Sequence, residues 1–393
     1  MTADEPAASG GTRLQAALND KRILVVGGAG GVGKTTVAAA LALRAALDGR
    51  RVLVCTIDPS RRLATSLGLD RLSDKPRALG LGRLRPAPGG ALWAMTLDTK
   101  RTFDELVERH MPTAEARRRV MENRFYKNVS SALAGSHEYM AMEKLLELSG
   151  DDRFDLVVLD TPPTRHALDF LEAPERLMGF LDTSVLRYFL RPYFTAGRLT
   201  LKVATRTGAL ALKLADRFLG LQFLQDLSEF FLAFEGMYDG FKARAAQVHR
   251  LLRSAESGFV VVTGPAARAM EEARYFHARL DESGMPFVAF VVNRVHPDPS
   301  SVKRTAEGRA PAIDASLAQA LVEIARDEHR LARREKRVIA ALAADTGEPL
   351  VMVAEQDADV HDMRGLAELG EPLLRARKPR RGRPGARRAA RRK

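Results

Sequence analysis

Short apolar segments alternate with stretches of helical periodicity along most of the chain. The apolar segments are rich in valine and end in turn-forming residues; they cover 23–26, 52–57, 92–97, 156–159, 259–262, 287–292 and 350–353. Strands that are apolar on both faces are typical of a parallel sheet with helices packed on either side. The pattern therefore predicts an α/β fold with a doubly wound, mostly parallel sheet.

The alternation stops between residues 165 and 255, where the periodicity is helical. This stretch is aromatic, because ten of the seventeen phenylalanines lie between Phe170 and Phe241. Apolar residues spaced three or four apart mark one helix face; they are Phe223, Leu227, Phe230, Phe234, Met237 and Phe241. We interpret the stretch as a helical insertion subdomain between two strands. A second long helix is predicted over 315–344, and a loop over 74–90.

The two ends of the chain differ from its middle. Residues 1–20 are predicted to be a disordered N-terminus, and residues 21–374 a single folded domain. Of the formal net charge of +13, eleven positive charges without one acid lie in residues 375–393, so the remaining residues carry +2. This basic tail has too few apolar residues to fold alone and is predicted to be disordered.

Composition excludes several kinds of site. The single cysteine, Cys55, rules out an internal disulfide and a CxxC zinc or redox site. The eight histidines are scattered, which argues against a catalytic metal held by histidine. The first residues include Asp4 and Glu5 without a long apolar run, so no signal peptide is predicted. We expect a cytoplasmic protein, for which the basic tail leaves a peripheral membrane location open.

The strongest chemical signal follows the first predicted strand. Residues 28–35 fit the pattern GxxxxGK[ST] in the order strand, loop, helix, which is typical of a phosphate-binding P-loop. Glycines let backbone N–H groups turn toward phosphate oxygens, and the helix N-terminus favours an anion. Lys34 is expected to reach the β- and γ-phosphates of ATP, and the Thr35 hydroxyl to bind Mg²⁺. The predicted nucleotide-binding residues of this loop are Gly28, Gly30, Gly31, Val32, Gly33, Lys34, Thr35 and Thr36.

Two aspartates follow other predicted strands. Asp58 ends the second strand and Asp160 the fourth, and the carboxyl ends of parallel strands share one edge of the sheet. One carboxylate is expected to hold Mg²⁺ and the other to orient the attacking water. Both aspartates are kept as candidate metal ligands beside Thr35. Asp58 and Lys34 are the candidate catalytic residues. The simpler interpretation of either aspartate is a helix N-cap.

The choice between ATP and GTP depends on a late strand. Guanine-binding proteins usually have Asn/Thr-Lys-x-Asp there, but this chain has Asn293, Arg294, Val295 and His296. Histidine cannot offer the paired carboxylate acceptor that guanine requires, whereas the Asn293 amide can pair with adenine. We therefore expect ATP. The simpler interpretation of Asn293 is that it only caps a turn.

At these residues the chain resembles the ArsA-type P-loop ATPases, which include arsenite-pump ATPases and the guided-entry ATPases that deliver tail-anchored membrane proteins. The similar segments are 28–36 (GAGGVGKTT), 58–61 (DPSR), 136–144 (SHEYMAMEK), 160–168 (DTPPTRHAL) and 359–366 (DVHDMRGL). The resemblance implies a homodimer with ATP at the interface, residues 354–359 beside adenine, Asp58 positioning the water and Asp160 in the switch that senses the γ-phosphate.

The sequence departs from this family at two points. The family's signature lysine, which reaches the partner's nucleotide, is replaced by Ala29. Arg61, Arg62 or Arg165 are candidate substitutes. Arsenite binding needs about three converging thiolates, so one cysteine argues against arsenite as a ligand. The zinc CxxC of guided-entry dimers is also missing.

The sequence leaves several functions open. The expected activity is ATP hydrolysis that drives a dimeric switch, with a hydrophobic or helical client at the insertion. The alternatives are a partitioning ATPase, whose basic tail binds DNA or an anionic membrane, and a phosphotransferase acting on a small molecule. The simplest interpretation of the insertion's apolar face is the subdomain's own core; a client groove and an extended dimer interface are the alternatives.

Overall fold

The computed structural model describes residues 10–162 except 59, 112, 125 and 127–135, then residues 238–299, and residues 314–374 except 357. The strands in these ranges are β1 Ile23–Gly28, β2 Arg51–Thr56, β3 Arg77–Leu79, β4 Ala91–Thr96, β5 Leu156–Asp160, β6 Ser257–Thr263, β7 Phe287–Val295 and β8 Leu350–Ala354. The longer helices are α1 Gly10–Asp20, α2 Lys34–Leu47, α3 Arg62–Ser66, α4 Thr99–His110, α5 Ala114–Glu122, α6 Ser136–Ser149, α7 Tyr238–Arg253, α8 Ala267–Glu282, α9 Ala315–Thr346 and α10 Met363–Leu374.

The described strands form one sheet in the order β3-β4-β2-β5-β1-β6-β7-β8. All neighbours are parallel except β3, which runs antiparallel to β4 at the edge. The predicted α/β class with a doubly wound, mostly parallel sheet is therefore confirmed, and each of the seven predicted strands is present. The predicted loop over 74–90 is wrong in part because it contains β3. That strand is short and mostly exposed, so it carries no run of buried residues that the sequence could reveal.

Each face of the sheet packs against its own layer of helices. Strand residues alternate between the two layers, as in β1, where Leu24 and Val26 face one layer and Ile23 and Val25 the other. The first layer contains α1, α2 and α10, and the second contains α6, α7, α8 and the C-terminal half of α9. Helix α2 has six alanines among its 14 residues, and all six are buried.

The predicted disordered N-terminus is wrong for residues 10–20, which form α1. Leu14 and Leu18 lie one helical turn apart and are completely buried. Their burial against α10, β7 and β8 supplies the stability that a short isolated helix lacks. The apolar spacing of these few residues was too short a signal to distinguish from chance.

Other predictions meet the structure only in part. The long helix predicted over 315–344 is confirmed as α9, whose N-cap Asp314 accepts a hydrogen bond from the backbone N–H of Leu317. The insertion predicted over 165–255 lies mostly outside the described residues, although α7 covers its C-terminal end. Residues 223–237 of its predicted apolar face and the basic tail at 375–393 also lie outside them. Among the helices that the structure describes, none is long and apolar enough to cross a bilayer.

Candidate functional site

The loop between β1 and α2 begins at the centre of the sheet, where β1 lies between β5 and β6. Its first residue, Gly28, has a φ of 147°, and a Cβ there would lie 1.9 Å from the backbone oxygen of Val262. Gly31 has a φ of 77° with open space around it. Backbone of this kind exposes successive N–H groups on the concave side of a loop, where they can bind phosphate oxygens. Gly30 and Gly31 are exposed on the loop.

Lys34, the first residue of α2, points back into this loop. Its Nζ donates a hydrogen bond of 2.8 Å to the carbonyl oxygen of Ala29. Burial lowers the pKa of Lys34, and the charge of the nearby Asp160 partly offsets that effect. The side chain is only 7% exposed, so the loop holds an almost fully desolvated ammonium group at its centre. Such a cation is a strong site for phosphate because little solvent screens its charge.

Asp160 ends β5 and is completely buried. Its Oδ2 accepts hydrogen bonds from the hydroxyls of Thr35, at 2.8 Å, and of Thr56, at 2.9 Å. Its Oδ1 has no hydrogen-bond partner. Burial raises the pKa of Asp160 to about 6, against the opposing effect of the two threonine hydroxyls. A buried carboxylate with a free oxygen is costly unless another positive or hydrogen-bonding group approaches it.

Asp58 follows β2 and lies beside the loop, with a more open environment than Asp160. Its Oδ1 accepts a hydrogen bond of 2.9 Å from the backbone N–H of Ser60, and the Arg62 guanidinium is 3.9 Å from its Oδ2. Its side chain is 23% exposed and lines a cleft of about 570 Å³. The cleft is also lined by Gly31, Gly33, Lys34, Thr35, Thr36, Arg61, Arg62, Thr65, Ser66, Thr161, Arg294, Asp359, Val360 and His361.

The predicted residues therefore converge from three strand ends. Lys34, Thr35, Thr36 and Asp58 face the cleft, while Asp160 lies behind Thr35 and reaches it through the threonine hydroxyl. Asp359, the last residue of the segment 354–359 that is expected beside adenine, also lines the cleft. The cleft thus combines a phosphate loop, a buried ammonium group and an exposed carboxylate.

Asn293 lies against the loop. Its Nδ2 donates a hydrogen bond of 2.9 Å to the backbone oxygen of Val32, and the side chain is buried. The amide thus braces the phosphate loop, a role that the sequence did not indicate. The predicted contact of Asn293 with adenine stays a prediction. His296, at the position where a guanine-binding protein has its aspartate, lies between the carboxylates of Glu335 and Glu355.

The available donors fit Mg²⁺. The described residues contain no group of three or more His, Cys, Asp or Glu side chains that could enclose a metal ion. Mg²⁺ does not need such a cage, since it is commonly held by one or two carboxylates together with water and substrate phosphates. The Thr35 hydroxyl and the Asp58 carboxylate line the cleft, and Asp160, whose buried Oδ1 has no hydrogen-bond partner, lies behind Thr35 as a third oxygen donor.

Thr56 and Arg294 are two of the site residues that the sequence did not indicate. Thr56 contacts Asp160 because β2 and β5 are neighbours in register, with Thr56 opposite Asp160. Arg294 contacts the phosphate loop because β7 is irregular at its end, where its Nη1 donates a hydrogen bond of 3.1 Å to the Gly31 oxygen. Strand order and strand irregularity leave no local mark in the sequence, so neither contact had a detectable signal.

Comparison with known proteins gives a consistent result. A family model described as anion-transporting ATPase matches residues 21–317. ATPase GET3C of Arabidopsis thaliana is 26% identical over 303 residues, which are 72% of this chain and 69% of that protein. ATPase ASNA1 homolog of Babesia bovis is 31% identical over 179 residues, covering 43% of this chain and 44% of that protein. ATPase GET3 of Mycosarcoma maydis is 28% identical over 187 residues, covering 47% of this chain and 50% of that protein.

Proposed function

Because the chain belongs to the anion-transporting ATPase family, we propose that it is a Mg²⁺-dependent ATPase whose nucleotide state controls a dimer and a protein client. Members of the family hydrolyse ATP. The observation that carries the proposal for this chain is the hydrogen bond between Thr35 and Asp160 at the mouth of the phosphate loop. It connects the cleft-lining hydroxyl of Thr35, the side chain that binds Mg²⁺ in a P-loop, to the buried carboxylate behind it.

The residues have distinct roles in the proposed reaction. Lys34 and the loop N–H groups bind the phosphates, and Thr35 with Asp160 holds Mg²⁺, which when bound offsets charge on the β- and γ-phosphates. Asp58 orients a water molecule toward the γ-phosphorus, since its carboxylate lines the cleft and is partly open to solvent. The water oxygen forms a bond to phosphorus, the bond to the β,γ-bridging oxygen breaks, and ADP and inorganic phosphate leave. The proton of the water ends on the phosphate.

Adenine is the base that we propose for this site. The support is that Asn293 contacts the phosphate loop at Val32, and that Asp359, the last residue of the segment expected beside adenine, lines the cleft. The proposal is tested by calorimetric titration of the full chain with ATP and with GTP, each with Mg²⁺ and with EDTA. We expect tight binding of Mg·ATP, weaker binding of Mg·GTP and a marked loss with EDTA. No retention of Mg·ATP by folded protein would overturn the assignment.

A dimer is the second part of the proposal. The resemblance to ArsA-type ATPases places ATP between two subunits, so ATP is expected to shift the protein from a monomer of 43.2 kDa toward twice that mass. Light scattering after size exclusion, with ADP and with a slowly hydrolysed ATP analogue, measures this shift. An unchanged mass with bound analogue would contradict a nucleotide-driven dimer.

The client is the third part. We propose a hydrophobic or helical segment of another protein, bound by the insertion predicted from the sequence. A fluorescent peptide with one apolar helix of about 20 residues is the probe, and a peptide of equal length with charged residues through that helix is its control. Nucleotide-dependent binding of the first peptide alone supports the client. Deletion of residues 375–393 tests the alternative that the basic tail, and not the insertion, binds the partner, in this case an anionic surface.

Arsenite is not proposed as a ligand. Cys55 lies in β2 and is buried, and burial raises its pKa to about 12. A neutral, buried thiol does not bind a metalloid, because the thiolate is the binding form. Unchanged ATPase activity across a titration with arsenite is the expected result.

A further inference from the structure

The end of β7 carries an irregularity that faces the phosphate loop. Val292 pairs with Met352 and Val295 pairs with Ala354, so β7 has one more residue than β8 between these two pairs. The extra residue makes a β-bulge at Asn293 and Arg294. In a regular strand these two neighbouring side chains would point to opposite faces of the sheet. At the bulge both contact the same loop, Asn293 at Val32 and Arg294 at Gly31.

The bulge is held by an unusual backbone conformation. Arg294 has a φ of 57°, and it is the non-glycine residue with positive φ in the part of the chain that the structure describes. A left-handed conformation at a residue with a Cβ is strained, and such strain is found more often at functional sites than elsewhere. Asparagine and glycine adopt this conformation more easily than arginine. The chain therefore has an arginine at a position where the backbone conformation alone would favour glycine or asparagine.

The guanidinium of Arg294 is free to bind an anion, because it is exposed and forms no ion pair with the described residues. Arg294 is exposed although the residues on either side of it in β7 are buried. No carboxylate among the described residues forms an ion pair with it, whereas Arg62 in the same cleft lies near Asp58. Within the part of the chain that the structure describes, its guanidinium donates to a backbone carbonyl, the Gly31 oxygen, which is a neutral acceptor. A charged phosphate oxygen is a stronger acceptor for a guanidinium than a neutral carbonyl.

Resting on the proposed ATPase function, we propose that Arg294 is a phosphate-binding residue. On nucleotide binding its guanidinium exchanges the Gly31 carbonyl for oxygens of the γ-phosphate, and it stabilises the charge that develops there during hydrolysis. Arg294 lines the cleft together with the phosphate-loop residues Lys34 and Thr35. The exchange therefore requires only a change in the side-chain conformation of Arg294, without a change in the backbone. This arrangement supplies a positive charge beside a loop in which Ala29 offers none.

Three variants of the full chain distinguish the effect of the guanidinium charge from that of the backbone strain: Arg294→Gly, Arg294→Gln and Arg294→Lys. Glycine relieves the left-handed strain while removing the charge, glutamine keeps the strain, and lysine keeps a charge without the planar fork. We expect Arg294→Gly and Arg294→Gln to lose about 10- to 100-fold in single-turnover hydrolysis at saturating ATP. The affinity for ADP, which lacks the γ-phosphate, is expected to stay within about threefold of wild type, and Arg294→Lys to retain intermediate activity.

Arg333→Gln is the matched control, because Arg333 is an exposed arginine of α9 that does not line the cleft. Wild-type turnover by Arg294→Gly would overturn the proposal. Equal losses of ADP affinity and of hydrolysis in the Arg294 variants, together with a lower Tm in Arg294→Gln, would also overturn it, since a residue that only braces the loop behaves in that way. Failure of the proposed ATPase function is a separate result, because it would appear in the wild-type protein itself.

Discussion

The hydroxyl of Thr35 donates a hydrogen bond of 2.8 Å to Asp160, a residue that follows it by 125 positions in the chain. The bond connects the start of α2 to the end of β5, the strand beside β1. One carboxylate oxygen is used by Thr35 and Thr56, and the other has no partner. The site thus holds a buried carboxylate that is incompletely satisfied within the protein, and this has a measurable consequence for stability.

The first prediction concerns the pH dependence of folding. Burial raises the pKa of Asp160 from 3.8 to about 6, so the folded state holds its proton more tightly than the unfolded state. The stabilising effect of this proton is fully present below pH 3.8 and is lost as pH rises through about 6. The total effect is about 3 kcal/mol in the free energy of unfolding. Asp160→Asn lacks this titrating group, so the free energy of unfolding of wild type should fall relative to that of the variant between about pH 4 and about pH 6.5. Urea unfolding in EDTA measures the difference.

Asp155→Asn is the control for this prediction. Asp155 directly precedes β5, but its hydrogen bonds with Arg51 lower its pKa. Its stabilising effect is therefore present above the unfolded pKa and is lost as pH falls, which is the opposite direction, and it is small because the pair is exposed. Parallel stability curves for wild type and Asp160→Asn would contradict the role of burial at Asp160.

The second prediction concerns competition between protons and magnesium. Mg²⁺ favours the charged carboxylate of Asp160, so the affinity for Mg·ADP should fall as pH drops below about 6. Titration of the nucleotide itself affects wild type and Asp160→Asn equally, and the difference between them isolates Asp160. Calorimetry at several pH values measures it. Identical pH profiles for the two proteins would argue that Asp160 does not hold the metal.

The third prediction concerns Lys34. Lys34→Ala removes the buried ammonium group and leaves the Ala29 carbonyl without its donor. We expect loss of measurable ATP turnover and at least about tenfold weaker nucleotide binding, since a charge-assisted hydrogen bond to phosphate is lost. The control is Lys100→Ala, because Lys100 is an exposed lysine of α4 that forms an ion pair with Asp104. Nucleotide binding at wild-type strength by Lys34→Ala would exclude the phosphate contact.

The fourth prediction separates binding from hydrolysis at Asp58. In Asp58→Asn the side-chain oxygen can still accept the hydrogen bond from the Ser60 N–H, so the loop should keep its conformation. Binding of ATP is expected to persist, while hydrolysis slows by about 100-fold or more because the amide orients water poorly. Asp48→Asn at the other end of α2 is the control. Normal turnover in Asp58→Asn would remove this residue from the reaction.

The fifth prediction compares two glycines of the phosphate loop. Gly28→Ala forces a Cβ to within 1.9 Å of the Val262 backbone oxygen, and a backbone atom in the middle of a sheet cannot move aside. We expect a loss of about 3 kcal/mol or more in the free energy of unfolding. Gly31→Ala meets no atom within 4 Å, so only the positive φ opposes it, at about 1 kcal/mol. Denaturant unfolding of both variants measures the difference, and equal losses would contradict the described packing.

Much of the fold was predictable because its signals are local. A run such as Val52, Leu53 and Val54 is buried on both sides, so it identifies a central strand without knowledge of its neighbours. The phosphate loop is similarly local, since glycines, lysine and threonine at fixed spacing determine its backbone and chemistry. Helix α9 begins at Ala315, the residue at which the sequence predicted its start.

The parts that escaped prediction depend on contacts between distant segments. Thr56 meets Asp160 only because β2 and β5 pair in parallel, and no pattern in either strand specifies its neighbour. The bulge at Arg294 results from the pairing of β7 with β8 and from the loop that lies against it. Helix α1 owes its existence to a groove formed by much later residues, so its own short sequence predicted it poorly.

Helix α1 also has a practical consequence for handling the protein. The match to the family model begins at residue 21, which makes this residue a tempting start for a shortened expression clone. Such a clone would lack Leu14 and Leu18 and would leave their apolar groove open to water. Gly10 itself lies so close to the Leu350 carbonyl that a Cβ would come within 2.5 Å of that oxygen. Purification tags are therefore better attached ahead of Gly10 through a flexible spacer, and trimming beyond it should yield aggregation-prone material.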